Sequence, residues 1–249
     1  MEATVKVLQS FEKEFHTEVY DWIVEKIGKQ EITSILDISI DRSIFTSILA
    51  EKLQTKKVLS GLRSGKVDLP ASKSMESIDI KIDDEDTLDT ELSKLGKFDL
   101  IILKDMLHEV QAYMTKFLAT LKNNFATSNS SIIILTRPKN PPVPVPDSAM
   151  LIWRKTCPTR EIIIECSNEA GYRQECYAVS CPISVTKSDW SQLLKGRFFA
   201  ALRNNPKCSD RDINEFIRDK PAPRFDFEEK ILIMVLQEKK EGEDQQSSV

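Results

Sequence analysis

The segment Ile35-Leu-Asp-Ile-Ser-Ile-Asp-Arg-Ser43 decides the fold of this chain, because it has the pattern of a buried strand that leads directly into a helix. Ser34 to Ile38 is a short apolar run, which is typical of a central strand in a parallel sheet. Apolar residues then recur at helical spacing from Ile44 to Leu53. This strand, turn and helix mark the place where doubly wound α/β proteins hold a nucleotide.

The next part of the chain repeats this alternation of strands and helices. Further strands are predicted at Lys57 to Leu59, Ile78 to Ile82, Asp99 to Leu103 and Ser131 to Thr136, with a helix from Gln111 to Lys122. Strands that alternate with helices in this way imply right-handed crossovers and a parallel sheet.

The pattern changes after the fifth predicted strand. The segment Arg137 to Pro146 contains five prolines, which exclude a helix or a central strand and favour an extended loop over the sheet edge. A weaker alternative is a ligand for an SH3 domain. The remaining predictions are helices at Ser148 to Lys155, Thr159 to Glu169, Ser188 to Arg203 and Ser209 to Arg218, and strands at Tyr172 to Ser180 and Lys230 to Leu236.

Composition excludes several classes of protein. A net charge of −4 and a pI near 5.5 argue against nucleic acid or an anionic membrane as a partner. The sequence has no apolar stretch of about 20 residues and no secretory signal pattern. Five cysteines without a CxxC pair and only two histidines argue against a disulfide framework or a metal centre. We therefore expect a cytoplasmic protein with one domain over residues 1–237 and a disordered polar tail over 238–249.

One motif carries a specific resemblance. Phe98-Asp-Leu-Ile-Ile-Leu-Lys-Asp-Met-Leu-His-Glu-Val110 resembles the fourth motif of class I S-adenosylmethionine-dependent methyltransferases of the small-molecule type (methyltransferase type 11-like). Later segments match one branch of that family in order: Thr136-Arg-Pro138, Trp153-Arg-Lys155, Glu169-Ala-Gly-Tyr172, Cys181-Pro-Ile183, Trp190, Lys195-Gly-Arg-Phe-Phe199 and Ser209-Asp-Arg-Asp212. The resemblance implies a Rossmann-like α/β fold with a seven-stranded, doubly wound, mostly parallel sheet and an antiparallel last strand. It also implies S-adenosylmethionine as cofactor and a small molecule as substrate.

The chain departs from the family at the cofactor loop. Ser39, Asp41 and Ser43 stand where the family places glycines, and a side chain in a positive-φ position costs roughly 1–2 kcal/mol. The second motif, Ser60-Gly-Leu-Arg63, lacks the acid that binds the ribose hydroxyls. A catalytically inactive pseudo-methyltransferase that acts as a binding or regulatory protein is therefore an alternative function. A subunit that depends on a protein partner is a third.

The resemblance assigns cofactor contacts to Asp37, Ser39, Asp83 and Asp105. Asp37 either binds the methionine ammonium of the cofactor or accepts hydrogen bonds from the backbone amides of its own turn. Asp83 either contacts adenine or belongs to a solvated acidic face. Asp41 or Ser43 contacts a ligand or caps the helix after the turn.

His108 is the candidate general base, because its pKa range suits proton transfer near neutral pH, with packing or capping as the alternative. The aromatic residues Trp153, Trp190, Phe198 and Phe199 either wall a substrate cavity or pack as core. Arg197 pairs with a substrate carboxylate or with an internal acid such as Asp189 or Asp212.

Overall fold

The computed structural model describes residues 2–27, 30–39, 44–62, 75–79, 96–203, 205 and 208–239. Its strands are β1 (Ser34–Ser39), β2 (Lys57–Leu62), β3 (Met75–Asp79), β4 (Phe98–Lys104), β5 (Ala126–Thr136), β6 (Tyr172–Thr186) and β7 (Arg224–Glu238). They form one sheet in the order β3-β2-β1-β4-β5-β7-β6. The strands from β3 to β5 are parallel, and β7 runs antiparallel between β5 and β6. The predicted mostly parallel α/β fold and the antiparallel last strand are confirmed.

The helices are α1 (Glu2–Phe15), α2 (Thr17–Ile27), α3 (Ile44–Leu53), α4 (Met114–Phe125), α5 (Asp147–Thr156), α6 (Arg160–Glu169), α7 (Lys187–Lys195), α8 (Ala200–Arg203) and α9 (Asp210–Arg218). A short 3₁₀ turn, Gln111–Tyr113, precedes α4. Thr159, Thr186 and Ser209 each accept a hydrogen bond from a first-turn amide, which fixes where α6, α7 and α9 begin.

Several predicted boundaries were wrong. The antiparallel strands β6 and β7 both extend beyond the apolar runs that predicted them, because they pair without interruption from Tyr172↔Glu238 to Thr186↔Arg224. β6 lies at the sheet edge and has β7 as its one neighbour among the described strands. Pro182 lacks a backbone N–H, and an edge strand tolerates that loss because only one side of it pairs. β3 begins three residues earlier than predicted, and residues 80–82 of that prediction lie outside the described part. Residues 240–249 of the predicted tail lie outside it too.

The predictions missed helix α1 entirely. Leu8 and Phe11 are buried on it, but the next position on the same face is the buried Glu12, so the apolar pattern is interrupted by a charge. α1 and α2 meet at His16, which is fully buried. Helix α1 and its junction with α2 therefore bring two ionisable side chains, Glu12 and His16, into the interior.

The strand order reverses between β1 and β4, which lie side by side at the centre of the sheet. Both strands are apolar and buried along most of their length, as expected when both faces of a strand are covered. At their amino ends, the Asp99 carboxylate accepts hydrogen bonds from the backbone and hydroxyl groups of Thr33 and Ser34, at 2.7–3.1 Å. This fixes the register of β4 against the segment that enters β1. Among the described helices, none has the length and apolar character needed to cross a membrane.

Candidate ligand site at the carboxyl edge of the sheet

The carboxyl ends of β1 and β4 form the candidate site, because ligands of open α/β sheets bind where the strand order reverses. The last residues of the two strands, Ser39 and Lys104, are direct neighbours in the sheet. Asp37 is fully buried two residues earlier and accepts a hydrogen bond from the Ser39 hydroxyl at 3.1 Å. The structure thus brings together two of the predicted cofactor contacts. Asp83, Asp41 and Ser43 lie outside the described residues.

Lys104 directs its ammonium towards the start of α3. Its Nζ lies 5.1 Å from the centroid of the Phe45 ring, and Phe45 is the second residue of α3. The same Nζ donates to Glu12 Oε1 of α1 at 2.6 Å. Tyr20 stacks on Phe45 at 4.5 Å between ring centroids and donates its hydroxyl to Glu12 Oε2 at 3.3 Å. Helices α1 and α2 therefore close over the end of β4 beside the start of α3.

His16 continues this set of contacts towards β7. Its Nδ1 lies 2.6 Å from Glu12 Oε2, and its Nε2 lies 2.9 Å from Glu229 Oε2. An imidazole that faces a carboxylate at both nitrogens is satisfied only when both nitrogens carry a proton. Burial by itself lowers the pKa of His16, but Glu12 and Glu229 outweigh it and raise that pKa to about 9.

Arg137 completes the set at the end of β5. Its Nε donates to Glu229 Oε1 at 2.6 Å, and its Nη1 donates to Asp105 Oδ2. The guanidinium also lies over the Phe199 ring, 4.9 Å from the centroid. The Asp105 carboxylate, a predicted cofactor contact, is thus bound by an arginine of the same chain.

These groups form what we call the carboxyl-edge network: Lys104, Glu12, His16, Glu229, Arg137 and Asp105, in order of contact. Their charges alternate, so the network is neutral overall when His16 is protonated. Burial alone raises the pKa of both Glu12 and Glu229, yet their cationic neighbours lower the first below its usual range and the second to about 2. Both carboxylates are therefore ionised at neutral pH, which makes their cationic partners essential.

The backbone at Asp105 is left-handed, with a φ of 52°. Aspartate tolerates this conformation better than most residues with a Cβ, although it remains unfavourable. The Asp105 amide donates to the Leu135 carbonyl at 2.8 Å, and the turn sends the carboxylate towards Arg137. Local strain at the ligand-facing end of a strand is a feature of functional sites.

His108 lies three residues beyond Asp105 and is mostly buried, with 11% of its side chain exposed. Its Nε2 lies 3.8 Å from Glu109 Oε1, and its ring centroid lies 6.2 Å from that of Trp153. The Trp153 indole donates to the Pro138 carbonyl at 2.9 Å. The structure thus places the predicted base at the same edge as Asp105, beside Trp153.

The aromatic residues mostly pack as core. Trp190 is fully buried among Phe11, Phe199, Phe225 and Phe227, and donates to the Pro144 carbonyl at 2.7 Å. Trp153, Phe199 and Arg137 do line a cavity beneath the proline-rich loop, but its volume is only about 20 Å³. This is close to the space that one water molecule occupies.

Arg197 binds an internal acid, as one of its two predicted alternatives states, but that acid is neither Asp189 nor Asp212. It pairs with Asp210 at 2.9 Å and donates to the Cys208 carbonyl at 2.7 Å. Asp189 and Asp212 are both engaged with the N-cap hydroxyls of their own helices. Their capping positions explain why Arg197 pairs with a different internal acid.

No family model matches the sequence, and no curated protein matches it. Among solved structures, a proposed methyltransferase from Bacillus halodurans superposes with a TM-score of 0.52 at 9% identity, over 87% of this chain and 97% of that one. The chain has the fold of class I methyltransferases.

Two other similar structures belong to proteins described as methyltransferases. A proposed sarcosine dimethylglycine methyltransferase from Galdieria sulphuraria has a TM-score of 0.49 at 10% identity, over 89% of this chain and 86% of that one. A proposed O-methyltransferase from Nostoc punctiforme has a TM-score of 0.48 at 16% identity, over 64% of this chain. The matched part spans about half, 52%, of the Nostoc protein.

Proposed function

We propose that this chain binds S-adenosylmethionine at the carboxyl edge between β1 and β4 and transfers its methyl group to a small molecule. The observation that carries the proposal is the position of His108 at the edge that a methyltransferase fold uses for ligands, one turn beyond the left-handed Asp105. Asp37 and Ser39 contribute polar groups at the neighbouring strand end. Asp83 is proposed as an adenine contact.

His108 has the role of general base in this proposal. It would take the proton of the acceptor group as the methyl group is transferred, while the donor and acceptor are held in line. The acceptor would enter beside Trp153, beneath the proline-rich loop. Because the present cavity there is about 20 Å³, the loop must move outward to admit an acceptor.

The first test is donor binding, measured by the melting temperature with and without S-adenosylmethionine. A ligand at a hundred times its dissociation constant stabilises by about 2.7 kcal/mol, which is roughly 5–10 °C for a chain of this size. An unchanged melting curve at millimolar donor would contradict the proposal.

The second test is turnover with methyl-labelled donor and a set of small-molecule acceptors. His108→Gln is expected to reduce transfer by about 10²–10⁴-fold, the usual contribution of a general base. Its melting temperature and donor affinity should match those of the unmodified protein. Equal turnover in the two proteins would remove His108 from the mechanism.

The Asp105–Arg137 pair favours a second candidate function, a binding or regulatory protein without catalysis. A carboxylate already neutralised by an internal arginine has little left to offer a cofactor. A folded chain that binds no donor would support this candidate over the first.

A further inference from the structure

Lys104 lies at the centre of the proposed donor site, yet a side chain of the same protein already binds it. It ends β4 directly beside the end of β1, and its ammonium rests over the ring of Phe45. Its bond to Glu12 Oε1 is 2.6 Å long, and the two residues are 92 positions apart in the sequence. A carboxylate from outside the sheet thus pairs with Lys104 at this strand end.

Glu12 is held in that position by more than Lys104. Its second oxygen contacts His16 at 2.6 Å and the Tyr20 hydroxyl at 3.3 Å. These contacts leave Glu12 a cationic partner if Oε1 loses Lys104, so the carboxylate need not become a buried unpaired charge. Exchange of the Lys104 partner is therefore possible without loss of the whole network.

We propose that Glu12 is a built-in competitor for a ligand carboxylate at Lys104, so that α1 shifts away when the ligand binds. This inference rests on the proposed donor site and adds the group of the donor that is recognised there, its amino-acid carboxylate. The exchange conserves charge, since one carboxylate replaces another on the same ammonium. It makes α1 an autoinhibitory element of the site.

The test compares two ligands that differ by one carboxylate, S-adenosylmethionine and its decarboxylated form, in binding to the intact chain by calorimetry. Glu12→Gln is expected to raise the affinity for S-adenosylmethionine by about tenfold, because the ligand no longer displaces a charged competitor. The affinity for the decarboxylated form should change by less than about twofold. Glu14→Gln, on the exposed part of the same helix, is the matched control and should leave both affinities unchanged.

Hydrogen exchange measured on the unmodified protein does not depend on whether the Glu12→Gln variant folds. Saturating S-adenosylmethionine should speed exchange of the α1 amides, whereas the decarboxylated form should not. If S-adenosylmethionine binds equally well to both proteins and α1 stays as protected as before, the competition is refuted and the proposed function stands. If neither protein binds either ligand, the proposed donor site is itself refuted, and the inference with it.

Discussion

The two ends of strand β4 satisfy their charged residues in opposite ways. At the amino end, Asp99 is held by backbone and hydroxyl donors of Thr33 and Ser34, which belong to the segment that enters the neighbouring strand. At the carboxyl end, Lys104 and Asp105 are held by charged groups from α1 and from the end of β5. The amino end is held by the start of the neighbouring strand alone, whereas the carboxyl end also joins α1 and the end of β5. We infer that the first fixes the register and that the second can rearrange.

The largest effect is expected at Arg137, which binds two buried carboxylates. Arg137→Met leaves Asp105 and Glu229 without their shared cation, and removing one partner of a buried pair costs about 3–5 kcal/mol. Urea unfolding at neutral pH measures this loss. Arg218→Met, whose arginine is exposed and pairs with the adjacent Asp219, is the control and should unfold as the unmodified protein does. A loss at Arg137 no greater than in this control would contradict the role given to the network.

His16 should make the stability of the protein depend on alkaline pH. Its pKa is raised from 6.5 to about 9 by Glu12 and Glu229 against the effect of burial, so its contribution is complete below pH 6.5 and disappears as pH rises through about 9. The shift corresponds to a contribution on the order of 3 kcal/mol.

Unfolding free energies measured between pH 6.5 and 9.5 would show this decline. His16→Gln should be less stable at pH 7 and nearly flat over the same range. A parallel decline in both proteins would mean that other groups cause it.

The parallel part of the sheet could be predicted from the sequence, whereas the carboxyl-edge network could not. The parallel half of the sheet was predicted correctly from the short apolar runs at β1, β4 and β5 and from the helical periodicity between them. Both patterns are local in the sequence. Glu12 gave a partial signal, since it falls on the apolar face of α1. Its bond to Lys104 spans 92 residues and the bond from His16 to Glu229 spans 213, so no local pattern could identify these partners.

The proposed roles of Asp37, Ser39 and His108 depend on their position at one sheet edge, which the strand order explains. For Asp105, the sequence predicts the position but not the pairing. Its place at the edge was predictable, but its engagement by Arg137 follows from a left-handed backbone conformation that the residue type only permits.

A smaller effect is expected at the amino end. Asp99→Ala removes a carboxylate oxygen that accepts several hydrogen bonds, at a cost of about 1–2 kcal/mol in unfolding free energy. Burial raises the pKa of Asp99 somewhat, but the donors of Thr33 and Ser34 lower it overall. Its contribution is therefore present above the usual aspartate pKa and disappears as pH falls through the lowered value.

The Asp99→Ala variant should bind ligands at the carboxyl edge as the unmodified protein does. Calorimetry with S-adenosylmethionine checks this. A large change in affinity would show that the two ends of β4 are not independent.

The protonation state of His16 is the most direct test of the carboxyl-edge network. The chain has only two histidines, so ¹⁵N-labelled imidazole signals can be assigned with the His16→Gln variant alone. The network predicts that both His16 nitrogens carry protons at pH 7 and that the ring titrates near pH 9. A single-protonated, neutral His16 at pH 7 would contradict the alternating charges on which the account of this edge depends.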